Sequence, residues 1–419
     1  MENKETLSRR ELLKHASALT LVMALSAEEA LAESAPAGPP VGVGVVGLGP
    51  QGRELLASLV RLPGASPAVI CDTYAPFLRR GNEIAPKAVQ QSDYRKLLDD
   101  KNVQAIVVAT PSHQHRQIVM DALQAGKHVY CEAPLAISVD DCKAMARAGS
   151  GAKPVFQVGQ QWRSDPQHHH ALKFVRTGVL NKMAQARAQW HRKDSWRKPA
   201  PTAEREREVN WRLNDQTSAG LMGEVGVHQV DIVSWFLKAL PVSTSGFGGV
   251  LVWQDGRTVP DTVQCLIEYP GGVHLLYDAT LGNSFDGAYE LLMGSDSALL
   301  TRGDRAWMFK EADSPLLGWE VYARKDKFGD ETGIALVANA TQLLAQGKIP
   351  GQENVTNDPT KTPFYTALEE FVACIQQGKK PECGPLEGMQ AAIVAIKAND
   401  AIKSGTKVTF QPEWFTVSG

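Results

Sequence analysis

Apolar and polar residues alternate along this chain with two different periods, and the change of period divides it. Between residues 41 and 160, short, wholly apolar runs take turns with segments whose apolar positions recur every three to four residues. Val41-Gly42-Val43-Gly44-Val45-Val46 reads as a buried strand, Ala68-Val69-Ile70-Cys71 as a second, Ala105-Ile106-Val107-Val108-Ala109 as a fully apolar one and Lys127-His128-Val129-Tyr130 as a short one. Residues 53–60, 118–125 and 139–148 carry helical spacing. Strands alternating with helices predict an α/β Rossmann domain, a doubly wound parallel sheet with ligands at the carboxyl ends of its strands.

Beyond residue 240 the pattern turns β-rich. Val250-Leu251-Val252-Trp253, 262–269, 273–277 and Glu290-Leu291-Leu292 are expected strands, with a hairpin turn at Pro270-Gly271-Gly272. Helices are expected over 334–344, 364–377 and 386–402. The resulting division is a leader over 1–32, a linker over 33–40 and a nucleotide-binding domain over 41–160. A substrate and oligomerisation domain follows over 161–380, and then a terminal helix and tail over 381–419 that pack back towards the first domain.

The leader changes the picture of where the protein works. Arg9-Arg10 precede an apolar stretch from Ala16 to Leu25, and Ala30-Leu31-Ala32 supplies a small-x-small cleavage pattern. Together they read as a twin-arginine export signal, hence a periplasmic or secreted protein. Across 419 residues, 44 Lys and Arg against 46 Asp and Glu give a net charge of −2, which argues against nucleic acid as a partner. No apolar run is long enough to span a bilayer. The six cysteines form no CxxC pair and read as buried thiols, although Cys374 and Cys383 have the option of pairing.

The strongest chemical signal follows the first strand. Gly47-Leu48-Gly49-Pro50-Gln51-Gly52 matches GxGxxG: Gly47 permits the turn, Gly49 lets the backbone approach a pyrophosphate, and Gly52 allows close helix–strand packing. Asp72, at the end of the second strand, suits the ribose hydroxyls of NAD and repels a 2′-phosphate. Arg79 and Arg80 nearby leave NADP open. Two loops at strand ends, Thr110-Pro111-Ser112-His113-Gln114-His115 and Glu132-Ala133-Pro134, mark where a site belongs.

These residues resemble the glucose–fructose oxidoreductase/inositol dehydrogenase (Gfo/Idh/MocA) family. The resemblance extends through Ala125-Gly126-Lys127-His128-Val129, Gln157-Val158-Gly159, the Gly220–His228 stretch and Glu387-Gly388. It implies a second domain with a large, mostly antiparallel open sheet, a carbohydrate substrate, and a homodimer or homotetramer formed through that sheet. It also implies cofactor contacts from Gly47, Gly49, Gln51, Gly52, Asp72, Thr110, Pro111, His115 and Glu132. One departure matters: the family carries Glu-Lys-Pro where this chain has Glu132-Ala133-Pro134, and alanine cannot bond a reacting hydroxyl. A second is Glu224, where the family has aspartate.

Glu224, His228 and Asp231 fall on one face of an expected helix, so a carboxylate beside His228 is expected to raise and orient a general base. His228 and Glu224 are the catalytic candidates, while Asp231 reads as structural. Arg163, Trp190, His191 and Lys193 are candidate substrate contacts, and Arg163, His191 or Lys193 is a candidate replacement for the missing lysine. His168-His169-His170 diverge by about 100° per residue on a helix and do not make a metal site. Glu204-Arg205-Glu206-Arg207-Glu208 reads as a solvated segment without chemistry.

Three functions fit: an oxidoreductase acting on a sugar, glycoside or polyol hydroxyl with tightly held cofactor, an NAD-dependent glycoside hydrolase using transient oxidation and elimination, and a non-catalytic sugar-binding protein. Export favours a redox-neutral cycle, because no obvious pool of free NAD exists outside the cytoplasm.

Overall fold

The computed structural model describes residues 38–318, 320, 323–338 and 361–417. The leader and residues 339–344 of the expected helix over 334–344 therefore lie outside the described residues.

The first domain runs β1 (Val41–Val46), α1 (Pro50–Arg61), β2 (Ala65–Cys71), α2 (Ala75–Ile84), β3 (Val89–Gln91), α3 (Tyr94–Leu98), β4 (Ala105–Val108), α4 (His115–Gln124), β5 (His128–Glu132), α5 (Val139–Gly151) and β6 (Phe156–Gly159). The six strands form a parallel sheet in the order β3-β2-β1-β4-β5-β6. The order in which strands are added reverses between β1 and β4, so the loops after these parallel strands open a crevice at their carboxyl ends. β1 and β4 are buried at every position, which is why both read as unbroken apolar runs.

The second domain begins with α6 (Pro166–Arg176), β7 (Met183–His191) and α7 (Ala203–Val209), and its next long helix is α8 (Val227–Leu237). Strands β8 (Ser243–Gly249), β9 (Thr262–Tyr269), β10 (Val273–Thr280), β11 (Ala288–Gly294), β12 (Ser297–Arg302), β13 (Arg305–Lys310), β14 (Lys325–Phe328) and β15 (Glu331–Leu336) follow. After helices α9 (Pro363–Gln377) and α10 (Pro385–Ser404), the short β16 (Val408–Thr409) closes a ten-stranded sheet. Its order is β14-β15-β13-β12-β11-β7-β10-β9-β8-β16, antiparallel except between β7 and β10. α10 buries twelve of its twenty residues, packing on α5 and β8 and so tying the two domains together.

Three expected elements differ. Val250–Trp253 is a loop, because the Asp261 carboxylate accepts the N–H groups of Leu251, Val252 and Trp253 at 3.0, 2.9 and 2.8 Å and takes them from any ladder. Ile334 lies in β15 rather than in a helix, paired with Met308. β8 was not expected from its Ser- and Gly-rich sequence. Its glycines are required by close packing: a Cβ on Gly246 would lie 2.5 Å from the Gln264 carbonyl, and one on Gly248 2.8 Å from Ile402. All six cysteines are free and buried, so Cys374 and Cys383 do not pair.

Candidate active site

A cavity of about 1170 Å³ lies between the crevice of the parallel sheet and a segment of the second domain spanning residues 196–212. Its floor is the glycine turn. Gly47 has φ of +92°, and a Cβ there would lie 2.6 Å from the Ala109 carbonyl oxygen. A Cβ on Gly52 would lie 1.9 Å from the Gly47 oxygen, so α1 packs against the turn only with glycine at this position. A Cβ on Gly49, by contrast, would meet nothing within 4 Å. That open space fronts the start of α1, where Pro50 occupies the first turn and the N–H groups of Gln51 and Gly52 have no intrahelical acceptor. An anion fits there.

Asp72 stands beside this turn. Its two carboxylate oxygens accept the N–H groups of Leu48 and Tyr74, each at 2.7 Å. Burial raises its pKa, and those two bonds oppose the rise. Arg53, Arg80 and Arg205 surround the same corner of the cavity. At the other end, Thr110 Oγ1 and Glu132 Oε1 are buried polar atoms without a hydrogen-bond partner among the described residues. Open space at Gly49, free helix N–H groups and unpartnered polar atoms along one cavity fit a dinucleotide with its pyrophosphate at α1. Gly47, Gly49, Gln51, Asp72, Thr110, Pro111 and Glu132 all line this cavity, and Gly52 shapes its turn from beneath.

Glu132 ends β5 and is 7% exposed. Burial pushes its carboxyl up to about 7, against opposing bonds from Gln51 and the Ala133 backbone and the more distant charge of Arg212. His228 lines the cavity with Nδ1 unpartnered. Burial holds the imidazole down at about 4, with Asp231 pulling weakly the other way. It is a neutral base at physiological pH. This corrects the expectation that a carboxylate raises it.

The expected single face of Glu224, His228 and Asp231 is broken by the backbone. Met222–Gly226 forms a π-turn that runs into α8, and the wider turn rotates Glu224 away from the four-residue ladder. Among the described residues no hydrogen bond joins Glu224 to His228. The Glu224 carboxylate accepts from Ser112 Oγ and Ser218 Oγ, both at 3.1 Å, and from the Ala219 N–H at 3.3 Å, with Arg212 Nε at 3.5 Å. Burial raises its pKa while these partners oppose the rise.

The expected substrate contacts are not in the cavity. Arg163 is buried in a bidentate pair with Asp231 at 2.8 and 2.9 Å. Trp190 packs on the core, His191 is held between Asp278 and the Phe285 carbonyl, and exposed Lys193 sits at the end of β7. None of these four lines the cavity, and none replaces the missing lysine there. His115 touches the cavity wall, yet its ring is 1% exposed and spent on backbone. Nδ1 faces the carbonyls of Pro134 and Leu135, and Nε2 faces that of Thr110 at 3.0 Å. It joins the two strand-end loops instead of facing a ligand.

What lines the cavity in their place is the segment 196–212. Trp196 is held at φ of +59°, a conformation bulky residues avoid, with its N–H on Asp194 Oδ1 at 2.9 Å. The Arg212 guanidinium lies 4.7 Å from the Trp211 ring centroid and 5.9 Å from that of Trp196. Arg205, expected to be solvated, stacks on Tyr74 beside Asp72. No motif announces these residues; only the spatial return of the segment onto the first domain does.

Residues 41–160 match the model of an oxidoreductase family with an NAD-binding Rossmann fold, and residues 168–295 match the GFO/IDH/MocA C-terminal domain. The chain is 25% identical over 379 residues to the 2,7-anhydro-N-acetylneuraminate hydratase of Escherichia coli (strain K12), covering 86% of this chain and 94% of that protein. It is 26% identical over 204 residues to the levoglucosan dehydrogenase of Pseudarthrobacter phenanthrenivorans, covering 46% of this chain and 50% of that one. An uncharacterized oxidoreductase of Streptococcus pneumoniae matches at 27% identity over 207 residues, 49% of this chain; like several such relatives, it is spanned over only about half its length, here 53%. Among solved structures, levoglucosan dehydrogenase in complex with NADH superposes with a TM-score of 0.73 at 18% identity, covering 88% of this chain and 99% of that one. An oxidoreductase domain protein from Kribbella flavida gives 0.72 at 23% identity, covering 89% and 99%.

Proposed function

The chain belongs to the Gfo/Idh/MocA family of NAD-binding oxidoreductases, and from that premise we propose that it oxidises a hydroxyl of a sugar, glycoside or polyol while holding its cofactor tightly. The observation that carries this reading is His228: a half-buried, neutral imidazole lining the same cavity as the glycine turn. NAD, when bound, supplies the hydride acceptor. The Gly47–Gly52 turn and α1 position its pyrophosphate, and Asp72 its ribose. His228, lining the cavity, accepts the hydroxyl proton. Burial makes the imidazolium formed there acidic, so the ring gives the proton back readily in the reverse direction. Glu224, fixed by Ser112 and Ser218, holds the adjoining wall and anchors Arg212.

A second reading, the NAD-dependent hydrolase, is favoured by Ala133 and Glu132 together. The side chain at 133 has no polar atom to bond a hydroxyl, while Glu132 offers an unpartnered oxygen and a carboxyl near 7, suited to moving a proton from the carbon beside an oxidised centre. The resemblance to a 2,7-anhydro-N-acetylneuraminate hydratase over 94% of its length supports this option. The twin-arginine pattern supports a periplasmic or secreted location. A homodimer through the large sheet is supported by exposed Phe247, Leu266 and Leu276 on the neighbouring strands β8, β9 and β10, the last two being cross-strand neighbours.

The test uses full-length protein purified without added nucleotide, its near-ultraviolet nicotinamide absorbance followed while free sugars and aryl glycosides are offered. A lasting rise supports the oxidoreductase. Aglycone release with an unchanged steady-state spectrum supports the hydrolase. Failure to bind NAD in a titration sinks both. His228→Asn is expected to lower turnover by about 100-fold or more with NAD binding intact.

A further inference from the structure

Resting on the proposed reading, we infer that Arg212 is a specificity residue that selects a substrate bearing a carboxylate, so that the substrate class is a sugar acid or a glycoside of one. Arg212 enters the cavity from outside the family motifs, on the 196–212 segment of the second domain. Its only polar contact among the described residues is Nε to Glu224 Oε2 at 3.5 Å. Glu224 does not depend on that contact, since two hydroxyls and a backbone N–H already satisfy it. Both terminal nitrogens of the guanidinium are therefore free, and Trp211 and Trp196 fix the plane in which they lie. Two parallel N–H groups in one plane match the two oxygens of a carboxylate.

Charge around the residue points the same way. Lys198 and Arg207, from the same segment, line the cavity, and among the described residues neither forms an ion pair. The pyrophosphate of a dinucleotide does not need these cations, because it is served by the start of α1 and has Arg53 and Arg80 at its own end. His228 is neutral, so the catalytic end adds no positive charge of its own. A ligand carrying only hydroxyls would leave the guanidinium fork unmatched, whereas a carboxylate would fill it. The two indoles then supply apolar walls for the carbon face of the ring.

The experiment measures binding to the NAD-loaded protein for a panel of carboxylated sugars, hexuronates, their methyl glycosides and N-acetylneuraminate, each beside its own neutral methyl ester. At least one acid is expected to bind about 30-fold more tightly than its ester. Arg212→Gln should abolish that preference and Arg212→Lys should keep part of it, with NAD affinity and thermal midpoint unchanged in both. Equal binding of every acid and its ester, a preference that survives Arg212→Gln, or no binding by any member of the panel overturns the inference. If neutral sugars reduce the bound cofactor while the acids show no preference, the inference falls and the oxidoreductase stands; loss of NAD binding in the unaltered protein would instead remove the reading beneath it.

Discussion

Glu132→Gln isolates the cost of burying an ionisable group at the heart of the cleft. The carboxyl ordinarily titrates at 4.5 and is pushed to about 7 here, chiefly by burial. Its pKa is raised on folding, so the native state favours the protonated form. Below pH 4.5 both states hold the proton and no penalty exists. As pH climbs from 4.5 to 7, the unfolded chain ionises while the native chain keeps its proton, and native stability falls. Above 7 both are ionised and the loss is complete. That interval corresponds to about 3 kcal/mol. Glutamine cannot ionise, so the stability difference between variant and parent should shift by about 3 kcal/mol in favour of glutamine between pH 4.5 and pH 8. His228 contributes a slope of the opposite sign, because it is lowered to about 4 and must charge as acid unfolding proceeds. It is present in both proteins and cancels from the difference. The assay is chemical denaturation of NAD-free protein at pH 4.5, 6 and 8, following the transition of the first domain. A difference that stays constant within about 1 kcal/mol across that range would refute the argument that Glu132 is a desolvated acid.

Other outcomes follow from equally local observations. Gly52→Ala drives a Cβ into the Gly47 carbonyl, so α1 must shift; NADH affinity measured by dihydronicotinamide fluorescence should fall at least tenfold, with a stability loss of about 2 kcal/mol. Asp231→Ala strands the buried Arg163 guanidinium and should cost about 3–5 kcal/mol in denaturant titration. A loss below 1 kcal/mol would show that the pair is relaxed by water. The acid limb assigned to His228 in a pH–rate profile should lie well below the ordinary histidine value of 6.5, near 4, because only the neutral ring accepts a proton; Glu132→Gln identifies and removes any limb near 7.

The parallel sheet, its strand ends and the glycine turn were readable in the residues themselves because each rests on local chemistry. A strand buried on both faces needs an unbroken apolar run, as at Val41–Val46 and Ala105–Val108. A positive φ at Gly47 and a close approach at Gly52 admit no side chain, so the motif survives as glycines. The resemblance likewise placed His228 and Glu132 from short stretches. Longer-range features left no such trace. Glu224 parted from His228 because a π-turn changed the helical register, which periodicity does not encode. Arg163 was drawn to Asp231, 68 residues on, and His115 to the carbonyls of Pro134 and Leu135 in a separate strand-end loop as well as to nearby Thr110. Arg212, Trp196 and Arg205 became cavity residues because the segment between β7 and α8 returns across the crevice. Sequence fixes which groups a residue carries and the local conformation it tolerates. Which distant group satisfies a buried charge is settled only when packing closes the molecule, since the penalty for leaving it unpaired exists only once water has been excluded.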